Sequence, residues 1–208
     1  MPEKIIKDVS GPEEFSPPFF CTPLTGTDKK ILLLNSASRN FDTGFVLGAA
    51  VRCKWGFPQV LACAPFMSDG TPFPTVFWLV CPYLDKRCAE LETEHKIPVL
   101  EKELENNREA VEKWHKEYAE LRRRLLSDSE TKNIANCDAV MESFDKTGVG
   151  GINRLKKPCT AKCLHLQTAT MLAWKHPAEA WLRMELGCTE CPDSQCNCKL
   201  LAENILPE

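Results

Sequence analysis

The sequence predicts an α+β fold: a small β-hairpin or sheet unit followed by a helical bundle that includes one long amphipathic helix. Two observations support this class. Two short apolar runs flank an Asp69-Gly70 turn, which is typical of a hairpin. Beyond Pro82, apolar residues recur every three or four positions, which is the period of a helix. The chain has 208 residues, enough to bury a core without disulfide support.

The N-terminal part of the chain has the least regular pattern. Residues 1–28 are rich in proline and predict an irregular arm. The apolar run Ile31–Leu34 predicts a short buried strand, and residues 43–52 fit either a strand or a helix. The predicted organisation is therefore this arm, one α+β domain over 29–187, and a Cys-rich C-terminal segment over 188–208 that packs on the domain.

The hairpin is the clearest local signal. Residues 59–64 are short and apolar, and residues 75–81 are rich in β-branched and aromatic side chains. Pro82 ends the second strand because proline cannot donate to a ladder. The same proline suits the first turn of a helix, so a helix is predicted over 83–95.

The long amphipathic helix is predicted over 99–126, directly after Pro98. Its apolar residues follow three- and four-residue steps, with one gap at 107/108, and its other face is charged. Further helices are predicted over 130–145, 159–175 and 178–186.

Composition and charge exclude several classes of protein. The net charge of −3 gives no basic footprint, which argues against nucleic acid as a partner. No apolar run reaches the length of a membrane span, so no membrane association is expected. The N-terminus carries acids where a secretory signal needs apolar residues, and we expect a cytoplasmic protein.

The cysteines are the unusual feature. Twelve cysteines in a reducing compartment suggest metal or iron–sulfur ligands, reactive thiols or small buried hydrophobic residues, rather than disulfides. Four of them fall within eleven residues, at Cys188, Cys191, Cys196 and Cys198. Such closely spaced thiolates can chelate one zinc ion. The alternative is a Cys-rich tail with no single ligand set.

Three dispersed cysteines form a second candidate group. Cys53 precedes the hairpin, Cys81 ends its second strand, and Cys163 lies near a helix start. A strand end and a helix N-terminus can converge in space, and a helix N-terminus favours the thiolate. Each cysteine taken alone is more commonly a buried small residue.

A glycine-rich loop at 148–151 forms a third candidate group. Backbone N–H groups at Gly150 and Gly151, with Lys162 nearby, would bind an anion. The alternative is a flexible linker between helices.

Five motifs, taken in order, resemble the uncharacterised bacterial family called domain of unknown function 501. They are Arg52-Cys53-x-x-Gly56-x-Pro58-Gln59-Val60, Asp69-Gly70-Thr71-Pro72-Phe73-Pro74-Thr75, the segment Trp78 to Pro82, Gly148-x-Gly150-Gly151-Ile152, and Lys162-Cys163-Leu164-His165. The resemblance covers about residues 50–175, and an extension to 198 would include the C-terminal cysteines.

The resemblance implies that Cys53, Cys81, Cys163 and His165 are positions that characterise the family's motifs, but it supplies no reaction. Family members commonly have a second histidine two residues after the first, and this chain has Gln167 there. A glutamine can form hydrogen bonds, but it cannot titrate or serve as a strong metal ligand.

The leading hypothesis is a cysteine-ligated metalloprotein. Cys53, Cys81, Cys163 and a C-terminal cysteine, Cys188 or Cys191, would bind zinc or an iron–sulfur cluster with a redox, sulfur-transfer or structural role.

Two alternatives stay open. A thiol enzyme would use Cys163 as nucleophile and His165 as base. Residues two apart on a helix do not share a face, so these two reach one centre only if the segment is not yet regular helix there. A non-catalytic interaction protein would bind a protein partner through helix 99–126 or the N-terminal arm.

Overall fold

A computed structural model describes residues 20–34, 43–126, 130–131, 138–192 and 197–205. It confirms the α+β class. The elements in chain order are α1 (Gly26–Leu34), β1 (Val46–Arg52), β2 (Pro58–Cys63), β3 (Phe77–Leu79), α2 (Pro82–Thr93), α3 (Lys96–Asn106), α4 (Arg108–Arg124), α5 (Asp138–Lys146), α6 (Leu164–Ala173), α7 (Glu179–Leu186) and α8 (Asn197–Ile205).

The three strands form an antiparallel sheet in the order β1-β2-β3. Strands β2 and β3 pair in the register Val60 with Leu79 and Leu61 with Trp78, which confirms the predicted hairpin. Every residue of the central strand β2 is buried. Helix α6 packs on β3, and helix α2 packs on α6, so the hairpin and these two helices form one layered unit.

The predicted strand at Ile31–Leu34 is wrong, because these residues belong to helix α1. Thr25 and Asp28 begin this helix with a reciprocal cap: Thr25 N donates to Asp28 Oδ2 at 2.8 Å, and Asp28 N donates to Thr25 Oγ1 at 3.0 Å. Arg52 Nη2 lies 2.9 Å from the same carboxylate, which ties α1 to the end of β1.

The helix predicted over 99–126 is two helices, α3 and α4. The break falls at Asn107, at the gap in the apolar pattern, and Asn107 N donates to Leu104 O instead of continuing the helix. Helix α4 buries its apolar face within the chain, through Val111, Trp114 and Tyr118 among others. Tyr118 Oη accepts a 2.6 Å hydrogen bond from Val76 N, which links α4 to the segment before β3.

Helix α6 begins later than the predicted residue 159. Cys163 has extended backbone angles, φ −160° and ψ 157°, and regular helix starts at Leu164. Helix α7 confirms the prediction over 178–186. The helix predicted over 130–145 is observed from Asp138, while residues 132–137 lie outside the described part of the chain. None of the helices in the described ranges combines the length and the apolar character needed to cross a bilayer.

The glycine loop after α5 is a packed turn. Val149 is fully buried, and its N–H donates to His115 Nδ1 at 3.1 Å. His115 Nε2 donates to Pro158 O at 2.8 Å. Because a Cβ at Gly148 would overlap the His115 ring, glycine is required there for close packing. This loop therefore fixes the segment that leads to α6.

Substitution Gly148→Ala should lower the free energy of unfolding by about 1–3 kcal/mol, because the new methyl group overlaps a fully buried imidazole. Gly26→Ala is the matched control, since a Cβ there meets no atom within 4 Å. Urea denaturation of both variants checks this. Equal stabilities of the two variants would contradict the packing account.

Candidate functional site

A cavity of about 320 Å³ lies between the hairpin and the start of α6. Strand β3 supplies one wall through Phe77 and Trp78, and the segment before it contributes Phe73. Cys163 and His165 line the opposite side. The structure therefore places the Cys163 and His165 side chains, which the sequence singles out, on a partly open cavity with apolar walls.

Three ligand-type side chains meet beside this cavity, and two of them, Cys163 and His165, line it. Glu92, Cys163 and His165 each offer one atom, and these atoms all lie within 4.8 Å of one another. Glu92 comes from the last turn of α2, Cys163 caps α6, and His165 lies in the first turn of α6. Cys163 and His165 can meet because the chain is extended at Cys163, the condition that the sequence sets for a shared centre. We call these three residues the Glu92 site.

Both ring nitrogens of His165 face oxygen atoms. Nδ1 is 3.0 Å from Glu92 Oε1, and Nε2 is 3.2 Å from the Asp85 carbonyl oxygen and 3.4 Å from Asp85 Oδ1. A doubly protonated ring donates from both nitrogens, so this environment favours the imidazolium. A hydrogen bond with Cys163, together with Glu92 and Asp85, raises the pKa of His165 to about 9 against the opposing effect of burial.

Glu92 also fixes the start of helix α6. Its Oε1 accepts a 2.6 Å hydrogen bond from Leu164 N, one of the N–H groups that a helix leaves unpaired at its first turn. Leu166 N donates to Cys163 Sγ at 3.5 Å. Thus both Glu92 and the Cys163 thiol accept hydrogen bonds from the N-terminal N–H groups of α6.

Asp85 and Glu92 are the site residues that sequence reasoning missed. They stand seven residues apart on α2, which is about two turns, so both lie on one face of the helix. That spacing was a detectable signal, but the partner histidine lies 73 residues beyond Glu92 along the chain.

Cys53 and Cys81 lie elsewhere. Cys81 immediately precedes α2, whereas Glu92 is in its last turn, about 16 Å away along the helix at 1.5 Å per residue. Burial raises the pKa of the Cys81 thiol, the backbone N–H groups of Leu84 and Tyr83 oppose this, and the nearby Cys53 thiol raises it further. Cys53 and Cys81 are therefore neighbours at the opposite end of α2.

The C-terminal cysteines approach this second region. Gln59 Nε2 donates to Thr189 O at 2.8 Å, and Trp55 Nε1 donates to Cys191 O at 3.3 Å. Cys191 is buried, while Cys188 is exposed and its thiol donates to Glu190 O at 3.0 Å.

The predicted ligands Cys53, Cys81, Cys163, Cys188 and Cys191 are thus divided between two regions. Within the part of the chain that the structure describes, the Glu92 site is the one group of three ligand atoms within 4.8 Å. Cys196, from the C-terminal cysteine group, lies outside the described residues.

The glycine loop and Lys162 reach the cavity that Cys163 and His165 line. Lys162 Nζ donates to Gly150 O at 2.7 Å, and both residues line the cavity. A Cβ at Gly150, whose φ is +57°, would overlap Leu166, so close packing and backbone conformation explain this glycine. Anion binding at Gly150, Gly151 and Lys162 stays a prediction, now placed beside Cys163.

Gln167 is fully buried and is not one of the three residues of the Glu92 site. Its Oε1 lies 2.7 Å from His176 Nε2, whose pKa burial lowers to about 3. Gln167 therefore serves as a hydrogen-bond partner for a neutral histidine in the core. Its presence in place of a second histidine removes no residue from the Glu92 site.

Comparison with known families supports the motif resemblance. The family described as "Protein of unknown function (DUF501)" matches residues 49–183, so the chain belongs to this family. No curated protein and no solved structure matches the chain. Glu92, Cys163 and His165 lie within the matched segment, whereas Cys188 and Cys191 follow it.

Histidine titration by NMR should find the pKa of His165 at about 9 in metal-free protein, against the ordinary 6.5. Cys163→Ala should lower that pKa most, because the thiol makes the largest contribution, and Glu92→Gln should lower it less. Exposed Glu94 provides the matched control, Glu94→Gln, which should leave it unchanged. An unaltered His165 titration in both site variants would contradict the described hydrogen bonds.

Proposed function

We propose that the protein binds one zinc ion through Glu92, Cys163 and His165, and that the ion's remaining position serves a reaction in the adjoining cavity. The observation that carries this proposal is the approach of a carboxylate, a thiol and an imidazole to within 4.8 Å, beside a 320 Å³ space that the thiol and the imidazole line. Three protein ligands with one open position are typical of catalytic zinc, whereas structural sites use four.

The donor types favour zinc over an iron–sulfur cluster. Zinc accepts sulfur, nitrogen and oxygen ligands together, whereas clusters are held mainly by several cysteine thiolates. Cys163 is the one cysteine among the three residues of the Glu92 site. Zinc with an open position supplies an activated water molecule or polarises a carbonyl group.

His165 has the orientation expected of a zinc ligand. Metal-bound histidines commonly donate their second ring N–H to a carbonyl or carboxylate, which fixes the tautomer. Nε2 of His165 faces the Asp85 carbonyl oxygen at 3.2 Å, and Nδ1 faces the Glu92 carboxylate. Nδ1 is therefore the ligating atom in this proposal, and Asp85 positions the ring.

A proton occupies the place of the metal in the metal-free protein. Because Nδ1 faces a carboxylate oxygen at 3.0 Å, the ring carries a proton there. Zinc binding must displace that proton, so binding becomes weaker as pH falls.

A reducing compartment keeps a cysteine such as Cys163 in the thiol form that can bind the ion, and on that ground we place the protein in the cytoplasm.

Purified protein should contain about one zinc per chain, or take up about one after dialysis, because a catalytic site binds a single ion. The variants Cys163→Ser and His165→Gln should lose that zinc. Cys188→Ser is the matched control, because this exposed cysteine lies in the C-terminal segment and its thiol bonds within its own loop. Mass spectrometry of the metal and circular dichroism of each variant provide the measurements.

Retention of a full zinc equivalent in both Cys163→Ser and His165→Gln would contradict the proposal. If Cys188→Ser were the one variant to lose zinc, the metal site would be assigned to the C-terminal cysteines instead.

A second candidate function is a thiol enzyme with Cys163 as nucleophile. The observation that favours it is the hydrogen bond between Cys163 and His165, with Leu166 N also directed at Sγ. Nucleophilic cysteines commonly stand at a helix N-terminus beside a histidine. Activity that survives removal of metal by EDTA and is lost in Cys163→Ser would favour this function over the zinc enzyme.

A further inference from the structure

We propose that the cavity beside the Glu92 site binds a small organic carboxylate, with its apolar body against the β3 wall and its carboxylate on Lys162. This inference deepens the proposed function and rests on it only in assigning the bound molecule as the substrate. The observations that carry it are the apolar wall, the placement of Lys162 and the pairing of the nearby acids.

The wall of the cavity is aromatic and favours the apolar part of a ligand. Phe73, Phe77 and Trp78 line it, and Phe73 and Trp78 lie against each other with ring centroids 5.5 Å apart. Phe77 is fully buried, and its ring meets that of Tyr118. A volume of 320 Å³ is at the small end of small-molecule pockets, which run from roughly 300 to 1,000 Å³.

Lys162 gives this apolar space one cationic anchor. Its Nζ donates to Gly150 O at 2.7 Å, and an ammonium group has three donors, so two remain for a ligand. The carbonyl partner is neutral and leaves the positive charge uncompensated. Among the described residues, the ion pairs do not include Lys162.

The two acids near the cavity are already engaged. Asp85 Oδ1 lies 3.4 Å from His165 Nε2, and Glu92 Oε1 lies 3.0 Å from Nδ1. Both carboxylates are therefore directed at the imidazole of His165. Lys162 directly precedes Cys163 in the chain, so a ligand anchored on Lys162 extends along the wall beside the Glu92 site.

The same geometry favours a carboxylate over a phosphate. Phosphate sites usually surround the anion with several N–H donors and more than one positive charge. Of the two cations that line the cavity, His165 faces the Asp85 and Glu92 carboxylates, whereas Lys162 faces only Gly150 O, whose carbonyl dipole would lie beside the anion. A singly charged carboxylate fits this arrangement best.

Titration calorimetry with phenylacetate and phenylacetamide tests the proposal, because the two probes share a shape and differ in charge. Phenylacetate should bind roughly tenfold more tightly, since only its carboxylate forms an ion pair with Lys162 in addition to the hydrogen bond. Lys162→Met should abolish the difference. Lys156→Met is the matched control, because this exposed lysine lies outside the cavity and should leave the preference intact.

Three outcomes would overturn the proposal: no binding of either probe, equal affinities in the wild-type protein, or a preference that survives Lys162→Met. If inorganic phosphate displaced phenylacetate at a phosphate concentration below that of phenylacetate, the cavity would be assigned a phosphate ligand instead.

A repeat in EDTA separates this inference from the proposed function. A preference that persists without metal and depends on Lys162 supports the carboxylate pocket even if no zinc binds. A preference that disappears with the metal and is insensitive to Lys162→Met would assign the carboxylate to the zinc ion. The proposed function would then stand and this inference would fail.

Discussion

The Glu92 carboxylate connects the two helices that form the site. One oxygen accepts hydrogen bonds from the backbone of Leu164 at 2.6 Å and from the imidazole of His165 at 3.0 Å. The N-terminus of α6 is thereby held against the last turn of α2. An acid at a helix N-terminus is favourable because it meets unpaired N–H groups and the positive end of the helix dipole. The same contact that begins α6 therefore orients the histidine.

The arrangement of the cavity follows from this contact. Since α6 begins at Leu164, Cys163 stays extended, and its thiol lies beside His165 instead of on the other side of a helix. Helix α6 also packs on β3, so the apolar strand residues form the opposite wall. The loop at 148–151 packs Gly150 against Leu166 and brings Lys162 to the rim. Fold and site share the same few interactions.

Local signals made much of the fold predictable. The turn at Asp69-Gly70 and Pro82 set the hairpin and the start of α2, because turn geometry and proline act on adjacent residues. The strand predicted at Ile31–Leu34 was wrong. The prediction followed the apolar run alone, whereas the reciprocal cap of Thr25 and Asp28 begins a helix there. The sequence also indicated Cys163 and His165, and the condition that they share one centre only where the segment is not regular helix.

The partners of these residues were not predictable, because they come from tertiary packing. Glu92 reaches His165 only when α2 packs on α6, and nothing local at either position indicates that contact. The four-cysteine site assumed that Cys163 approaches Cys81, but α2 separates Cys81 from Glu92 by nearly its whole length.

The proposed identity of the ligands is open to a direct spectroscopic test. X-ray absorption at the zinc edge counts the sulfur neighbours of the bound ion. We predict one sulfur at about 2.3 Å, from Cys163, with the other neighbours being nitrogen and oxygen at about 2.0–2.2 Å. Three or four sulfur neighbours would contradict it, because they would place the ion among the other cysteines and leave the Glu92 site without a metal.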